Sequence, residues 1–97
     1  MAQVIWRRTA IEDLRRLFYF LYEKDQSAAN KAASAIKQGA LRFETTPRIG
    51  CPIPDKTNRR ELFIPFGARF YVIRYFLESS ETVIIVRIWH SREDRVD

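Results

Sequence analysis

The sequence predicts an α+β domain in which a helix hairpin packs on an antiparallel sheet, with element order β-α-α-β-β-β. Three observations predict it. Apolar residues recur at three- and four-residue steps through the first half of the chain, the period of an amphipathic helix. β-Branched and aromatic runs, separated by gaps of hairpin length, fill the second half. Finally, 97 residues suffice for one domain and are too few for two, so residues 1–97 are expected to form a single unit.

The elements follow in order. Gln3-Val-Ile-Trp-Arg7 is β-branched and aromatic and reads as a short strand. It stops at Thr9, where Thr9-Ala-Ile-Glu12 has the spacing of a capping box, so a helix is expected to start there. Ala10, Ile11, Leu14, Leu17, Phe18, Leu21 and Tyr22 form its apolar stripe, with Glu12, Asp13, Arg15, Arg16 and Glu23 mostly on the other side. Lys24-Asp25-Gln26-Ser27 breaks the pattern and offers Asp25 or Ser27 as N-cap of a second helix running to about Phe43 or Glu44. Its stripe is rich in alanine, which suits close backbone approach in an antiparallel hairpin.

Thr45 to Asn58 contains Pro47, Pro52 and Pro54 with Gly50 and Cys51, has no periodicity, and reads as a stiff loop from helix to sheet. Three strands are expected after it, Arg60–Pro65, Arg69–Leu77 and Thr82–His90, joined as an antiparallel meander. In the last strand, strict alternation places Ile84, Val86, Ile88 and His90 on one face and Val83, Ile85, Arg87 and Trp89 on the other. Both faces are largely apolar, as in a strand inside a sheet.

Composition narrows the function classes. The chain is 46% hydrophobic and 30% charged with 3 glycines, which is globular usage. The single Cys51 cannot close an internal disulfide, and the amino-terminal residues lack the apolar core of a signal peptide, so a cytoplasmic location is expected. The longest apolar stretch, Phe18 to Tyr22, is far short of the roughly 20 residues of a membrane span, so no membrane association is expected. No His/Cys/Asp cluster has metal-ligand spacing, there is no Gly-rich phosphate loop, and no cofactor is implied. A net charge of +5 favours an anionic partner, nucleic acid or an acidic protein face.

Several segments in the right order resemble the RelE/ParE toxins of type II toxin–antitoxin systems. They are Ala10-Ile-Glu-Asp-Leu14, Thr46-Pro-Arg-Ile-Gly50, Arg60-Glu-Leu-Phe-Ile-Pro65, Tyr71-Val-Ile-Arg-Tyr75 and Val86-Arg-Ile-Trp-His-Ser-Arg-Glu-Asp94. The Pro-Arg-x-Gly loop, the Arg-Glu-Leu strand and the His-x-Arg-x-Asp ending are closer to the ParE side. That resemblance implies a plasmid-stabilization type of toxin that inhibits DNA gyrase by binding, with no catalytic residue, and that is held inactive in a hetero-oligomer with a cognate antitoxin. Arg87, His90 and Arg92 at the end of the last strand are then the expected target-binding residues, and Trp6, Phe18, Tyr22 and Phe63 the expected antitoxin contacts. The RelE side implies instead a ribosome-dependent mRNA endonuclease. Such chemistry needs a proton-transfer group and cations about a phosphate, for which the candidates are His90 with Arg69, Arg74 and Arg87, supported by Tyr71 or Tyr75. His90 equally fits a half-buried strand-end residue bonded to backbone or to Asp94.

Overall fold

A computed structural model describes residues 1–96. The elements are β1 (Gln3–Trp6), α1 (Arg8–Tyr22), α2 (Gln26–Leu41) with a 3₁₀ turn at Arg42–Glu44, β2 (Cys51–Pro52), β3 (Arg59–Phe66), β4 (Arg69–Ser79) and β5 (Thr82–His90). The five strands form one sheet in the order β1-β5-β4-β3-β2. β2 to β5 are antiparallel, whereas β1 joins β5 in parallel, from Gln3 opposite Thr82 to Trp6 opposite Ile85. The sheet is therefore mixed, because the intervening helices and meander bring β5 back to the start of the chain in the direction of β1. β2 lies in the proline-rich segment expected to be a plain loop; it is a two-residue rung on the edge of β3.

The helix hairpin covers one face of the sheet. Ala10 and Leu17 of α1 and Ala32, Ile36 and Ala40 of α2 meet Leu62, Ile64, Tyr71, Ile73, Tyr75, Val83, Ile85 and Ile88 from the strands. The alanine stripe lets α2 lie close to the strands, and Gly39 touches Ile64 so closely that a Cβ there would overlap its side chain. Asp25 caps α2 as expected, accepting from the Ala28 N–H at 3.1 Å.

Two local readings change. The capping box at Thr9 is absent: α1 begins at Arg8 after an extended Arg7 with no side-chain cap, and the Thr9 hydroxyl donates to the Val86 carbonyl at 2.6 Å. A tertiary acceptor has outcompeted the local one. In β5 the alternation breaks, since Arg74 faces Arg87 but Tyr75 faces Ile85, leaving Val86 as an extra residue in a bulge. Val83, Ile85 and Ile88 consequently all reach the helix-side core, and Ile84, Arg87 and Trp89 lie on the open face.

Candidate functional site

The polar organisation begins at the edge of β5. Strand β1 ends at Trp6, so nothing in the sheet pairs the outer edge of β5 beyond Ile85. Helix α1 supplies the missing partners from one side: Thr9 bonds the Val86 carbonyl, the Asp13 carboxylate accepts from the Ile88 N–H at 2.8 Å, and Arg16 donates to the Ile88 carbonyl at 3.3 Å. Spacings of four and three residues put these side chains on one helix face. Asp13, read from sequence as solvent-facing, is consequently 4% exposed.

Register then builds a charged row across the open face. Glu61, Arg74 and Arg87 stand side by side on β3, β4 and β5. Arg74 donates through Nε and Nη2 to one oxygen of Glu61 at 3.1 and 2.8 Å, and Arg87 donates to both oxygens of Asp13 at 2.7 and 3.2 Å. Two like charges directly opposite would repel. Here each has its own carboxylate, and both guanidiniums lie over the Trp89 ring, at 4.8 and 5.1 Å. The bond to Asp13 holds the Arg87 guanidinium more firmly protonated than usual, against a smaller opposing effect of burial. Arg95 adds a further pair to Glu61 at 3.3 Å, and Arg16 pairs with Glu93.

The end of the sheet carries a second group. His90 packs edge-on against Tyr71 with ring centroids 5.4 Å apart, and its Nδ1 accepts from the Arg92 N–H at 3.1 Å. Its own N–H is taken by Glu93, at 2.9 Å, and not by Asp94. Burial lowers the His90 pKa from its usual value; Glu93 opposes this, and Arg92 and Arg69 add to it. Burial, then the charge of Glu93, raises that of Tyr71.

The four residues expected of a nuclease are thus divided. Tyr71, paired with His90, belongs to the helix-side face, and Arg69 follows it by alternation. Arg74 and Arg87 stand on the opposite face. Tyr75 is fully buried and its hydroxyl accepts from the Gly50 N–H at 2.8 Å. Of the expected target-binding residues, His90 and Arg92 are in contact, whereas Arg87 is on the other side of the sheet.

The expected antitoxin contacts also separate. Trp6 and Phe18 are half-buried on the helix side, Tyr22 is exposed beside Phe18 with ring centroids 5.5 Å apart, and Phe63 lies exposed on the open face against Phe70. On the helix side, two adjoining grooves share Leu14 and Lys37. One runs between the helices past Phe18, Tyr19 and Ala33; the other continues past Val4, Trp6, Ile11 and Leu41. Ile11, Tyr19 and Leu41 are exposed there, at 41%, 60% and 50%. Ile11 belongs to the apolar stripe expected of the first helix, yet it lines the open groove beside Leu41. Among the described residues, no helix is long and apolar enough to cross a membrane.

Residues 4–95 match the model of the family described as ParE toxin of the type II toxin–antitoxin system parDE. Toxin RelE1 of Caulobacter vibrioides is 37% identical over 86 residues, spanning 89% of each chain. Toxin RelE3 of the same bacterium is 35% identical over 86 residues, spanning 89% of this chain and 90% of that one. Among solved structures, the chromosomal ParDE TA system from P. aeruginosa matches with a TM-score of 0.76 at 18% identity, covering 93% of this chain and 96% of that one. At that identity the match concerns the fold.

Proposed function

The chain belongs to the ParE toxin family of type II toxin–antitoxin systems, and we propose that it acts on the ParE pattern, inhibiting DNA gyrase by binding while a cognate antitoxin neutralises it. The observation that carries this reading is the division of the nuclease candidates by the sheet, His90 and Arg69 on one face, Arg74 and Arg87 on the other. A general base and the cations that stabilise a phosphorane must converge within hydrogen-bonding reach of one phosphate. Arg74 and Arg87 are moreover engaged with Glu61 and Asp13, as expected of framework residues. His90, half-buried at the end of β5, and Arg92, exposed just beyond it, serve as target contacts in this reading, with Arg87 holding the strand that presents them. The antitoxin is assigned to the apolar groove between and beside the helices, which suits the nonpolar face of an amphipathic segment.

The experiment is a pair of assays with purified protein: supercoiling by gyrase, and cleavage of mRNA on ribosomes. Inhibited supercoiling with intact mRNA is expected. Cleaved mRNA with normal supercoiling would install a second reading, a RelE-like endonuclease, which has its own support: the relatives named Toxin RelE1 and RelE3, and the packing of His90 on Tyr71 with the charges of Arg69 and Arg92 nearby. In that reading folded His90→Gln loses on the order of 10²–10⁴-fold in cleavage rate, whereas a binding toxin keeps most of its potency.

A further inference from the structure

The sheet has one layer of helices, yet its other face is not bare. Val72 is fully buried and Trp89 is 2% exposed, although both point away from the helices. Neighbouring Phe63 and Phe70 on the same face remain 42% and 37% exposed, so burial is local to the middle of the row. The guanidiniums of Arg74 and Arg87 lie over the Trp89 ring, and the segment after β5 returns to the same row. It turns back at Ser91, whose N–H donates to the Phe70 carbonyl at 2.9 Å, and Glu93 then pairs with Arg16. Farther on, Arg95 reaches Glu61 at 3.3 Å, and the Val96 carbonyl accepts from Arg87 Nη1 at 3.1 Å. Arg95 thus ends two strands away from β5, on the carboxylate that also holds Arg74.

We propose that segment 91–96 is a releasable strap, closed by ion pairs and hydrogen bonds, that masks an anion-receptive surface made by Arg74 and Arg87 about Trp89. This goes beyond the choice between gyrase and ribosome and does not depend on it. The strap can release because nothing apolar anchors it: its one hydrophobic residue, Val96, is 71% exposed. Its clasps are half-exposed pairs, with Arg16, Glu93 and Arg95 side chains at 42%, 36% and 37% exposure, and such contacts are individually weak and screened by salt. What lies beneath is held independently, since Arg74 keeps Glu61 and Arg87 keeps Asp13 when the strap leaves. With the strap away, the guanidiniums of Arg16, Arg74 and Arg87 face only the carboxylates of Asp13 and Glu61 among the described residues, so an anion is the species favoured at the uncovered surface.

Quenching of Trp89 fluorescence tests this, in a Trp6→Phe background so that one indole reports. In the closed protein, iodide at constant ionic strength should quench weakly. Arg95→Ala removes the clasp on Glu61, and iodide quenching should rise several-fold, more than quenching by neutral acrylamide, with the circular dichroism and melting temperature close to those of the parent. Raising chloride should increase acrylamide access in the parent as well. A folded Arg95→Ala variant with unchanged quenching by both agents would overturn the strap, and a rise for acrylamide alone would overturn the anion-receptive surface. If Trp6→Phe does not fold, hydrogen exchange in the unaltered protein replaces it: peptides from segment 91–96 should lose protection with added salt while those from β4 keep theirs, and equal protection of the two would reject release.

Discussion

Among the described residues, Asp13 gathers contacts from two arginines and a backbone amide. It accepts from Arg16, from two atoms of Arg87 and from the backbone of Ile88, in a position 4% exposed. Asp13→Ala leaves the Ile88 N–H without its acceptor and Arg87 without its carboxylate, while Arg16 keeps Glu93. A loss of about 2–3 kcal/mol is expected in urea unfolding. Arg87→Ala should cost less, about 1–2 kcal/mol, since Asp13 keeps Arg16 and the Ile88 N–H. The two substitutions should be strongly non-additive, and an additive double mutant would show that they do not act through one another. Weakened toxicity in Arg87→Ala therefore has to be read beside its stability. His90 sets a pH dependence of definite sign. Its pKa in the fold lies below the ordinary 6.5, mainly because burial disfavours the charged ring. The unfolded chain takes up the proton first as pH falls, so this stabilisation is fully present above the ordinary value and is lost as pH drops through it towards the folded value. The melting temperature should be level above that value and decline below it, and His90→Gln should flatten the decline.

At the scale of elements, the junction between the proline-rich loop and the sheet depends on one glycine and one tyrosine. The Gly50 N–H donates to the Tyr75 hydroxyl, and Arg60 from β3 donates to the carbonyls of Arg48 and Gly50 at 3.1 and 2.8 Å. A Cβ on Gly50 would come within 2.7 Å of the Tyr75 ring and 2.9 Å of the Glu61 carbonyl, which is backbone and cannot rotate away. Gly50→Ala should thus cost about 1–3 kcal/mol through overpacking. Tyr75→Phe should cost a comparable amount, about 1–3 kcal/mol, by leaving a buried N–H unpaired. Thermal or urea unfolding of each checks this, and a fully stable Gly50→Ala would mean the loop yields more easily than its contacts imply. The Pro-Arg-x-Gly segment is in this light a structural joint. Its arginine side chain is left at the surface while the backbone does the holding.

For the whole molecule, the division of labour follows the sheet. The helix side bears the apolar groove, and the opposite side bears the charged row. An antitoxin seated in the groove should be sensitive to Ile11→Arg, at an exposed position whose replacement leaves the core intact. Affinity is expected to fall on the order of 10–100-fold in a calorimetric titration, with an unchanged melting temperature, since a cation would be buried against apolar surface. Undiminished binding by the folded variant would move the antitoxin to another face.

The amino-acid sequence by itself determined the two helices and the longer strands in their order, a cap for α2 at Asp25 or Ser27, the alanine face of α2 and the meander, because each rests on residues near one another in the chain: a period, a cap, a turn length. The family likeness was legible for the same reason, as short segments in sequence order. What only the tertiary structure decided is every pairing between distant residues. The parallel seat of β1, the bulge at Val86 that reassigns the faces of β5, the burial of Asp13 beneath that strand and the return of Arg95 to Glu61 all join residues remote in sequence. Thr9 makes the contrast within a single side chain. Its spacing to Glu12 is that of a cap, but a strand edge left unpaired by the end of β1 offers the Val86 carbonyl, and a hydroxyl takes the acceptor that would otherwise be stranded, which no local pattern records.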